Sequence, residues 1–454
     1  MTSSLARLVL PSLRWRSTGG GFEHARAEID AALAAGVGGF IIFGGTRDAV
    51  AALTRDLHTR AGRPVLVGAD LERGAAQQVQ GLTEMPSAAA LGYLDDLDAT
   101  HVAGLITATE ARSVGITWAF GPVCDLDIEA RNPIVQTRAF GADPLRVGEH
   151  AAVWVRGCQE HGVLACAKHY PGHGRTTVDS HETLPRVRTP AAELQRVDGE
   201  PFEHAIRAGV GGVMTAHVAY PAWAPSGRAA TFDREILGYL RDPLHFDGLV
   251  ATDALIMAGA TADHAEAPAT VAAVAAGCDI LLYPRDFRSV VAALDRAVGR
   301  EISVARADDA LRRYERAVGE WGRGKGEGGR VEPDLVAYGA FADGLADRAL
   351  HSLRGDTARL RLHGPLSAPI VDDDVGGPYV VGPRDAFHAT LREAGVDVGE
   401  RGAGSGKRVV LVYAEPRSWK GRAALGSRSV AALRRLVPGA ALVVLFGHPR
   451  LARQ

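Results

Sequence analysis

The sequence has few of the features that mark several large classes of protein. Only four cysteines occur in 454 residues, at positions 124, 158, 166 and 278, and none belongs to a CxxC pair. We therefore expect neither a zinc cage nor a disulfide framework, and scattered reduced thiols are typical of a cytoplasmic protein. The formal net charge is −2, so the sequence predicts no large basic field for binding nucleic acid.

Long hydrophobic runs are also missing. No stretch reaches the roughly 18 apolar residues that a membrane-spanning helix needs. The N-terminal MTSSLARLVLPSLRWRSTGG lacks the apolar core and the cleavage site of a signal peptide. We therefore expect a cytoplasmic protein with no membrane span. Its 46% hydrophobic and 23% charged residues are those of an ordinary globular protein.

Short apolar runs recur along the first 320 residues, separated by alanine-rich stretches of helical character. The runs are ARLVLP (6–11), VGGFIIF (37–43), PVLVGA (64–69), ITWAF (116–120), GVLACA (162–167), GGVMTA (211–216), GLVAT (248–252) and DILLY (279–283). Continuous apolar runs of this length are typical of parallel strands that are buried on both faces. Eight strand–helix units predict a (β/α)8 TIM-type barrel over residues 1–320, and a doubly wound open sheet is the alternative.

The composition changes near residue 320. GEWGRGKGEGGRVEPD (319–334) is rich in glycine and charge, which predicts a linker over residues 321–334. Four later runs indicate strands of a small α/β domain over residues 335–454. They are PIVDDD (369–374), YVVGP (379–383), RVVLVYA (408–414) and ALVVLFG (441–447). The chain stops soon after the last run, so we expect this domain to be small or cut short.

Polar residues follow the predicted barrel strands closely. The carboxyl ends of barrel strands form the active-site face, so residues at these points are candidates for function. They are Asp70, Glu72 and Arg73; Asp125, Asp127, Asn132 and Arg138; the stretch KHYPGHGRTTVDSH (168–181); His217; Asp253; and Tyr283. Because buried charges need partners, so many charged groups at one rim predict a functional site.

Some of these residues have simpler interpretations when they are taken singly. Asp70 or Asp253 alone could cap a following helix. The tripeptide DLD (125–127) could bind a metal, although this tripeptide is common. SGKR (405–408) is similar to part of a P-loop, but the glycine and Ser/Thr positions of that motif hold Arg401 and Arg408. We therefore reject a phosphate-binding loop.

The histidines of residues 168–181 could also form a divalent metal site, with His169, His173, Asp179 and His181 as ligands. The spacing of His169 and His173 would suit one face of a helix. Pro171 and the two adjacent glycines break any helix there. We therefore expect no metal and no other cofactor.

The stretch KHYPGHGRTTVDSHETLP (168–185) resembles the signature of bacterial β-N-acetylhexosaminidases of glycoside hydrolase family 3, KH-[FY]-PGHG-x4-DSH-x2-LP. Three other segments resemble the same family in order and spacing. They are GPVCDLDIEARNPIVQTRAFGADPLRV (121–147), VMTAHVAYPAW (213–223) and HFDGLVATDALIM (245–257). The resemblance covers roughly residues 5–320, and the second domain is only loosely similar.

The resemblance implies a role for each matching residue. Asp253 would be the nucleophile, and His181 would be the general acid/base, paired with Asp179. The residues implied to hold the sugar hydroxyls are Asp70, Arg138, Lys168 and His169. Retaining glycoside hydrolysis needs a nucleophile on one side of the anomeric carbon and an acid on the other. An imidazole, with an unperturbed pKa near ~6.5, suits the second role at neutral pH. We interpret His173 as a residue that braces the loop.

One segment departs from the family pattern. Family members usually carry D-x-E-G-G-R after the third strand and a further arginine eight residues past the aspartate. Here the segment is DLERGAAQQ, with Gln78 at that later position and the positive charge at Arg73. This leaves open how the carboxylate of a muramic-acid-type aglycone would be held.

The resemblance implies a retaining exo-β-N-acetylglucosaminidase of carbohydrate metabolism. Its substrates would be cell-wall muropeptides, in peptidoglycan recycling, or chitooligosaccharides. Four alternatives stay open: a phosphorylase on the same scaffold, a β-glucosidase, an inactive sugar-binding protein and a metal-dependent hydrolase. The presence of Asp253, Asp179 and His181 favours an active enzyme. A small carbohydrate is the only partner that the sequence predicts.

Overall fold

The structure, a computed structural model, describes residues 4–261, 265–322, 332–356, 360–362, 364–375, 384–399 and 406–453. The chain forms two compact units. The first contains Met1–Ile128, Arg138–Thr176 and Ser180–Ala349, and the second contains Glu129–Thr137, Thr177–Asp179 and Leu350–Gln454. No helix within the described ranges is long and apolar enough to span a membrane. All four cysteines lie in described segments and are buried free thiols.

Each of the eight predicted runs of the first unit contains a strand. The strands within the eight runs are β1 (Val9–Leu10), β3 (Gly39–Phe43), β4 (Leu66–Ala69), β5 (Trp118–Ala119), β6 (Leu164–Tyr170), β7 (Gly212–Thr215), β8 (Leu249–Ala251) and β9 (Leu281–Leu282). One further strand, β2 (Ser12–Arg14), directly follows the first run and was not predicted. Strands β2 to β8 pair in chain order as one parallel sheet of seven strands. Their side chains are almost all buried, as the continuous apolar runs predict.

The first apolar run closes this sheet into a barrel. Strand β1 pairs in parallel with β9, whereas β2 pairs with β3 on the other side. Pro11 lies between β1 and β2 and has no N–H group to donate to a ladder. A parallel bridge joins Ala251 of β8 to Ile280, next to β9. The ring of parallel strands is therefore complete, and the prediction of a TIM-type barrel is confirmed.

Helices alternate with these strands. They are α1 (Arg26–Ala35), α2 (Arg47–Ala61), α3 (Ala88–Leu94), α4 (Leu97–Ser113), α5 (Pro144–Glu160), α6 (Ala191–Glu193), α7 (Glu200–Arg207), α8 (Arg234–Arg241), α9 (Ala258–Thr261), α10 (Glu266–Ala276), α11 (Phe287–Ala297), α12 (Val304–Trp321) and α13 (Leu335–Ala349). The start of helix α5 is set by its sequence. Asp143 caps the helix by accepting a hydrogen bond from the backbone N–H of Arg146, and Pro144 occupies the first turn.

Glycine allows close packing inside the barrel at two positions. A Cβ atom at Gly39 in β3 would lie 1.9 Å from the carbonyl oxygen of Leu66 in β4. A Cβ atom at Gly68 would lie 2.5 Å from the ring of Phe120. Larger residues at either position would push neighbouring strands or core side chains apart.

Within its described residues, the second unit contains a parallel sheet of five strands. Its strands are β10 (Leu366–Ser367), β11 (Ile370–Asp372), β12 (Val398–Gly399), β13 (Lys407–Ala414) and β14 (Leu442–Gly447), and its helices are α14 (Ala386–Glu393) and α15 (Ser427–Leu436). Strand β13 pairs with β10 and β11 on one side and with β14 on the other. Three of the four predicted runs contain β11, β13 and β14, and the fourth, 379–383, lies outside the described residues.

Two features of the second unit differ from the sequence-based expectation. Strands β10 and β12 were not predicted, because neither lies in a continuous apolar run of the sequence. Helix α13 belongs to the first compact unit, although the predicted second domain begins at residue 335. The domain limits 1–320, 321–334 and 335–454 stay a prediction.

Candidate active site

A buried ion-pair network lies at the carboxyl ends of β4 and β6. The side chain of Lys168 is 2% exposed, and its Nζ lies 2.7 Å from Asp70 Oδ1 and 2.7 Å from Glu72 Oε1. Arg138 binds the same Glu72 carboxylate through two bonds, from Nε to Oε2 at 2.9 Å and from Nη2 to Oε1 at 2.8 Å. The structure thus brings together three predicted sugar-binding residues through Glu72, to which the sequence assigned no role.

The network holds its charges at neutral pH. Burial alone would raise the pKa of Glu72, but Arg138 and Lys168 outweigh burial and hold that pKa well below its usual range. Burial would likewise lower the pKa of Lys168, and the carboxylates of Asp70 and Glu72 outweigh it and raise that pKa. These groups therefore supply fixed charges and hydrogen bonds, and they are poorly suited to proton transfer.

Asp253 lies just after β8. Its Oδ1 accepts the backbone N–H of Ala254 at 2.7 Å. Burial would raise the pKa of Asp253, but the neighbouring His169, His217 and His181 outweigh burial and bring the pKa to about 2. The Asp253 carboxylate is therefore ionised across the neutral range, as a nucleophile must be.

His217, which the sequence gives only as a strand-end residue, contacts the residue that follows Asp253. Its ring is fully buried. Nδ1 lies 2.8 Å from Thr231 Oγ1, and Nε2 lies 3.2 Å from the carbonyl oxygen of Ala254. Burial lowers the pKa of His217. The only signal in the sequence was its place directly after the sixth predicted strand.

Asp125 fastens the start of the loop that follows β6. Its Oδ2 lies 2.6 Å from His169 Nδ1, and its Oδ1 accepts the backbone N–H groups of His169 at 3.2 Å and His173 at 2.6 Å. Asp125 is 1% exposed. Both carboxylate oxygens of Asp125, the first aspartate of the DLD tripeptide, thus contact His169 or His173 of the same chain.

The ring of His173 is held on both sides within the loop. Nδ1 lies 2.8 Å from Thr176 Oγ1, and Nε2 lies 2.9 Å from Ser180 Oγ. The ring is almost completely buried. These contacts are those expected of a residue that braces the loop, as the sequence analysis interpreted it.

The far end of the loop is attached to the chain that follows Asp253. The carbonyl oxygen of Ser180 accepts the backbone N–H of Gly259 at 2.9 Å, and that of His181 accepts the N–H of Ala258 at 3.4 Å. The side chain of His181 is exposed, whereas Asp179 is buried and is grouped with the second compact unit. The predicted pairing of Asp179 with His181 stays a prediction.

The residues that depart from the family pattern have local partners. Arg73 Nη1 lies 3.5 Å from Glu84 Oε1, and Gln78 Oε1 accepts the backbone N–H of Gly44 at 3.0 Å. Across the described parts of the chain, no group of three or more His, Cys, Asp or Glu side chains is arranged to hold a metal ion.

Known proteins share both the fold and the sequence of this chain. The family described as "Glycosyl hydrolase family 3 N terminal domain" matches residues 5–317. A protein from Cellulomonas fimi named β-N-acetylglucosaminidase/β-glucosidase is 37% identical over 292 residues, which cover 61% of this chain and 51% of that protein. A β-hexosaminidase from Thiobacillus denitrificans is 35% identical over 274 residues, which cover 57% of this chain and 75% of that protein.

A solved structure of the same family is also similar to this chain. The structure of a glycoside hydrolase family 3 β-N-acetylglucosaminidase from Paenibacillus sp. is similar with a TM-score of 0.80 and 27% sequence identity. The similarity covers 98% of this chain and 84% of that one. The chain matches about half the length of the Cellulomonas fimi relative.

The chain thus forms a parallel β/α barrel with a charged, buried network at the carboxyl ends of β4 and β6. The family match spans more than half of the sequence, so the chain belongs to glycosyl hydrolase family 3. Membership of this family places it among the glycoside hydrolases.

Proposed function

We propose that the protein is a retaining exo-β-N-acetylglucosaminidase that releases terminal β-linked N-acetylglucosamine from glycosides. The observation that carries this proposal is the Asp253 carboxylate, which neighbouring histidines keep ionised. The segment that bears His181 is hydrogen-bonded to Ala258 and Gly259, a few residues after Asp253. A carboxylate nucleophile and an acid/base beside it are the two groups that retention requires. The names of the relatives support N-acetylglucosamine as the sugar.

In the first step, an oxygen of Asp253 forms a bond to the anomeric carbon of the sugar. The bond from that carbon to the glycosidic oxygen breaks, and its electron pair stays on the departing oxygen. His181 donates a proton to this oxygen, so the aglycone leaves as a neutral alcohol. The products of the step are the aglycone, a glycosyl ester of Asp253 and a neutral His181.

In the second step, His181 takes a proton from water while the water oxygen attacks the anomeric carbon. The ester bond breaks, Asp253 recovers its carboxylate, and the sugar leaves with its original configuration. The exposed position of His181 suits a group that must meet both the glycosidic oxygen and the incoming water. We assign to Asp179 the task of orienting the His181 ring and favouring its protonated form.

The buried ion-pair network at the ends of β4 and β6 would bind the sugar hydroxyls. Asp70 is 31% exposed and is an acceptor, Lys168 is a donor, and His169 has one ring nitrogen beyond the one that faces Asp125. Arg138 is bound through two bonds to Glu72, and we propose that it contributes mainly by its charge. We further propose a cytoplasmic enzyme that acts on muropeptides or chitooligosaccharides.

Release of 4-nitrophenol from its β-N-acetylglucosaminide and from its β-glucoside tests this proposal. The assay is run with and without inorganic phosphate, for the wild type and for Asp253→Ala. Asp286→Asn is the matched control, since Asp286 caps α11 on the surface and asparagine caps a helix as well as aspartate does. Cleavage of the acetamido sugar that phosphate does not change, lost only in Asp253→Ala, supports the hydrolase.

Three other outcomes would change the assignment. Strong stimulation by phosphate, with sugar 1-phosphate as the product, would make the protein a phosphorylase. A histidine acid/base is compatible with that reaction, because it lacks the negative charge with which a carboxylate repels phosphate. Cleavage of the glucoside alone would make it a β-glucosidase, and turnover of neither sugar would leave a binding protein.

A further inference from the structure

One buried carboxylate organises the first turn of the loop that follows β6. Asp125 accepts the backbone N–H groups of His169 and His173 with Oδ1, and its Oδ2 lies 2.6 Å from Nδ1 of the His169 ring. A single side chain thus fixes both ends of a five-residue turn and the ring at its start. Asp127, two residues later, instead bonds through its backbone N–H to the carbonyl oxygen of Gly141 at 2.8 Å.

We propose that Asp125 is a positioning residue that fixes the tautomer and the orientation of His169 for glycoside cleavage, an inference that rests on the proposed function. An ionised carboxylate can only accept hydrogen bonds. The ring nitrogen that faces it, Nδ1, must therefore carry the hydrogen. In the neutral ring, Nε2 is then the acceptor that a sugar hydroxyl meets.

The charge state of Asp125 agrees with this arrangement. Burial would raise the pKa of Asp125, but His169 and His173 outweigh burial and lower it. His169 in turn contributes to the low pKa of Asp253. The position that Asp125 imposes on this ring therefore bears on the binding of sugar when the ring is neutral, and on the pKa of Asp253 when the ring is protonated.

The variant Asp125→Asn tests the proposal directly. The amide is the same size, and its oxygen can still accept the two backbone N–H groups. Its NH2 group then faces His169 Nδ1 as a donor, which forces the ring into the Nε2–H tautomer. We expect kcat/KM to fall by about 10²–10⁴-fold, as when the carboxylate behind a catalytic histidine is replaced by an amide.

The tautomer of the His169 ring is the measurement that distinguishes the two roles, because it would not change if Asp125 only stabilised the fold. Long-range 1H–15N correlation spectra of protein labelled with 15N-histidine distinguish the two tautomers, and His169→Gln assigns the signal. We expect an Nδ1–H ring in the wild type and an Nε2–H ring in Asp125→Asn. An unchanged tautomer in the variant would overturn the proposal, and this holds even if the wild type proves to have no glycosidase activity.

A double-mutant cycle tests whether Asp125 acts through His169. Asp125→Asn in a His169→Gln background should cost no more than about threefold beyond His169→Gln alone, because coupled residues are not additive. Fully additive losses would contradict the proposal. Asp279→Asn is the matched control, since Asp279 is a buried aspartate paired with Arg241 and Arg306. It should lower Tm and leave the His169 tautomer and kcat unchanged.

Asp125→Glu covers the case in which the amide variant does not fold. Glutamate keeps the charge and moves it by one methylene, so the Nδ1–H tautomer should persist with reduced activity. A switch to Nε2–H in this variant would contradict the assignment.

Discussion

Gly259 donates its backbone N–H to the carbonyl oxygen of Ser180 at 2.9 Å. This bond ties the loop that follows β6 to the chain that follows β8. The residue next to Ser180 is the proposed acid/base His181, and Asp253 lies on the second of these two segments. Parallel barrel strands present their ends at one rim, and this bond joins the two segments that carry the proposed catalytic groups.

Gly259→Ala should therefore impair catalysis without unfolding the protein. A Cβ atom at this position would lie 2.9 Å from the carbonyl oxygen of Ser180 and 3.0 Å from that of His217. Both neighbours are backbone, so the loop must shift, and a displacement of about 1 Å can cost about 10²-fold in rate. Steady-state kinetics with 4-nitrophenyl β-N-acetylglucosaminide measure the effect.

Gly238→Ala is the control for that experiment. Gly238 lies in α8, and a Cβ atom there would meet nothing within 4 Å. Alanine is favoured over glycine inside a helix, so we expect equal or higher Tm with unchanged kcat. Equal activity in both alanine variants would show that the position of the Ser180 segment does not limit the reaction.

The acidic limb of the pH profile should move to higher pH in His169→Gln. His169 is among the groups that hold the pKa of Asp253 at about 2, against burial, which raises it. Without this ring the pKa of Asp253 rises, and the ionised nucleophile is lost at a higher pH as acid is added. Profiles of kcat/KM from about pH 2 to pH 9 measure the limb, since the wild-type limb lies near the low pKa of Asp253.

His161→Gln serves as the matched histidine replacement for the pH experiment. His161 follows α5, and its Nδ1 lies 3.0 Å from the carbonyl oxygen of Gly157. The acidic limb should stay where it is in the wild type. A limb that also stays in place in His169→Gln, or that moves to lower pH, would argue against the proposed electrostatic role.

Lys168→Met should weaken both stability and sugar binding. The variant leaves Asp70 and Glu72 without the cation between them, and Arg138 alone then offsets the burial of Glu72. Breaking a buried ion pair on one side costs about 3–5 kcal/mol. Urea unfolding should show this loss, and KM should rise in the fraction that remains folded.

Lys420→Met separates these two effects. Lys420 is a buried lysine of the second unit, 5% exposed, and its Nζ lies 2.6 Å from Asp374 Oδ1 and 3.3 Å from Asp373 Oδ2. A similar loss of stability is expected, with no change in KM. A matching rise in KM in both variants would mean that the effect of Lys168→Met is one of stability alone.

The sequence predicts the barrel well because strands that are buried on both faces consist of continuous apolar residues. Each parallel strand reads as a short apolar run, and the runs ending at Ala69 and Tyr283 mark real strands at the rim of the barrel. Strands β10 and β12 lie in no continuous apolar run, so the sequence does not predict them. Strands β1 and β2 flank Pro11 and pair with different neighbours, β9 and β3. This arrangement depends on how the ring closes, and no local sequence pattern predicts it.

The site is less accessible to sequence reasoning, because its contacts join distant parts of the chain. Arg138 and Glu72 meet across 66 positions, and nothing local indicates that a predicted sugar-binding arginine binds a carboxylate instead. The sequence gives Asp125 as a strand-end candidate and as part of a common DLD tripeptide, but not its three contacts with the loop. Strand-end position identified such residues as candidates but could not give their roles.

The proposed mechanism requires that Asp253 forms a covalent bond to the sugar. Incubation with a 5-fluoro N-acetylglucosaminyl fluoride, which forms the glycosyl ester quickly and loses it slowly, followed by peptide mass mapping, tests this claim directly. We expect one added sugar per chain, on the peptide HFDGLVATDALIM (245–257) at Asp253, and none in Asp253→Ala. An adduct on another carboxylate, or turnover of substrate with no covalent adduct, would contradict it.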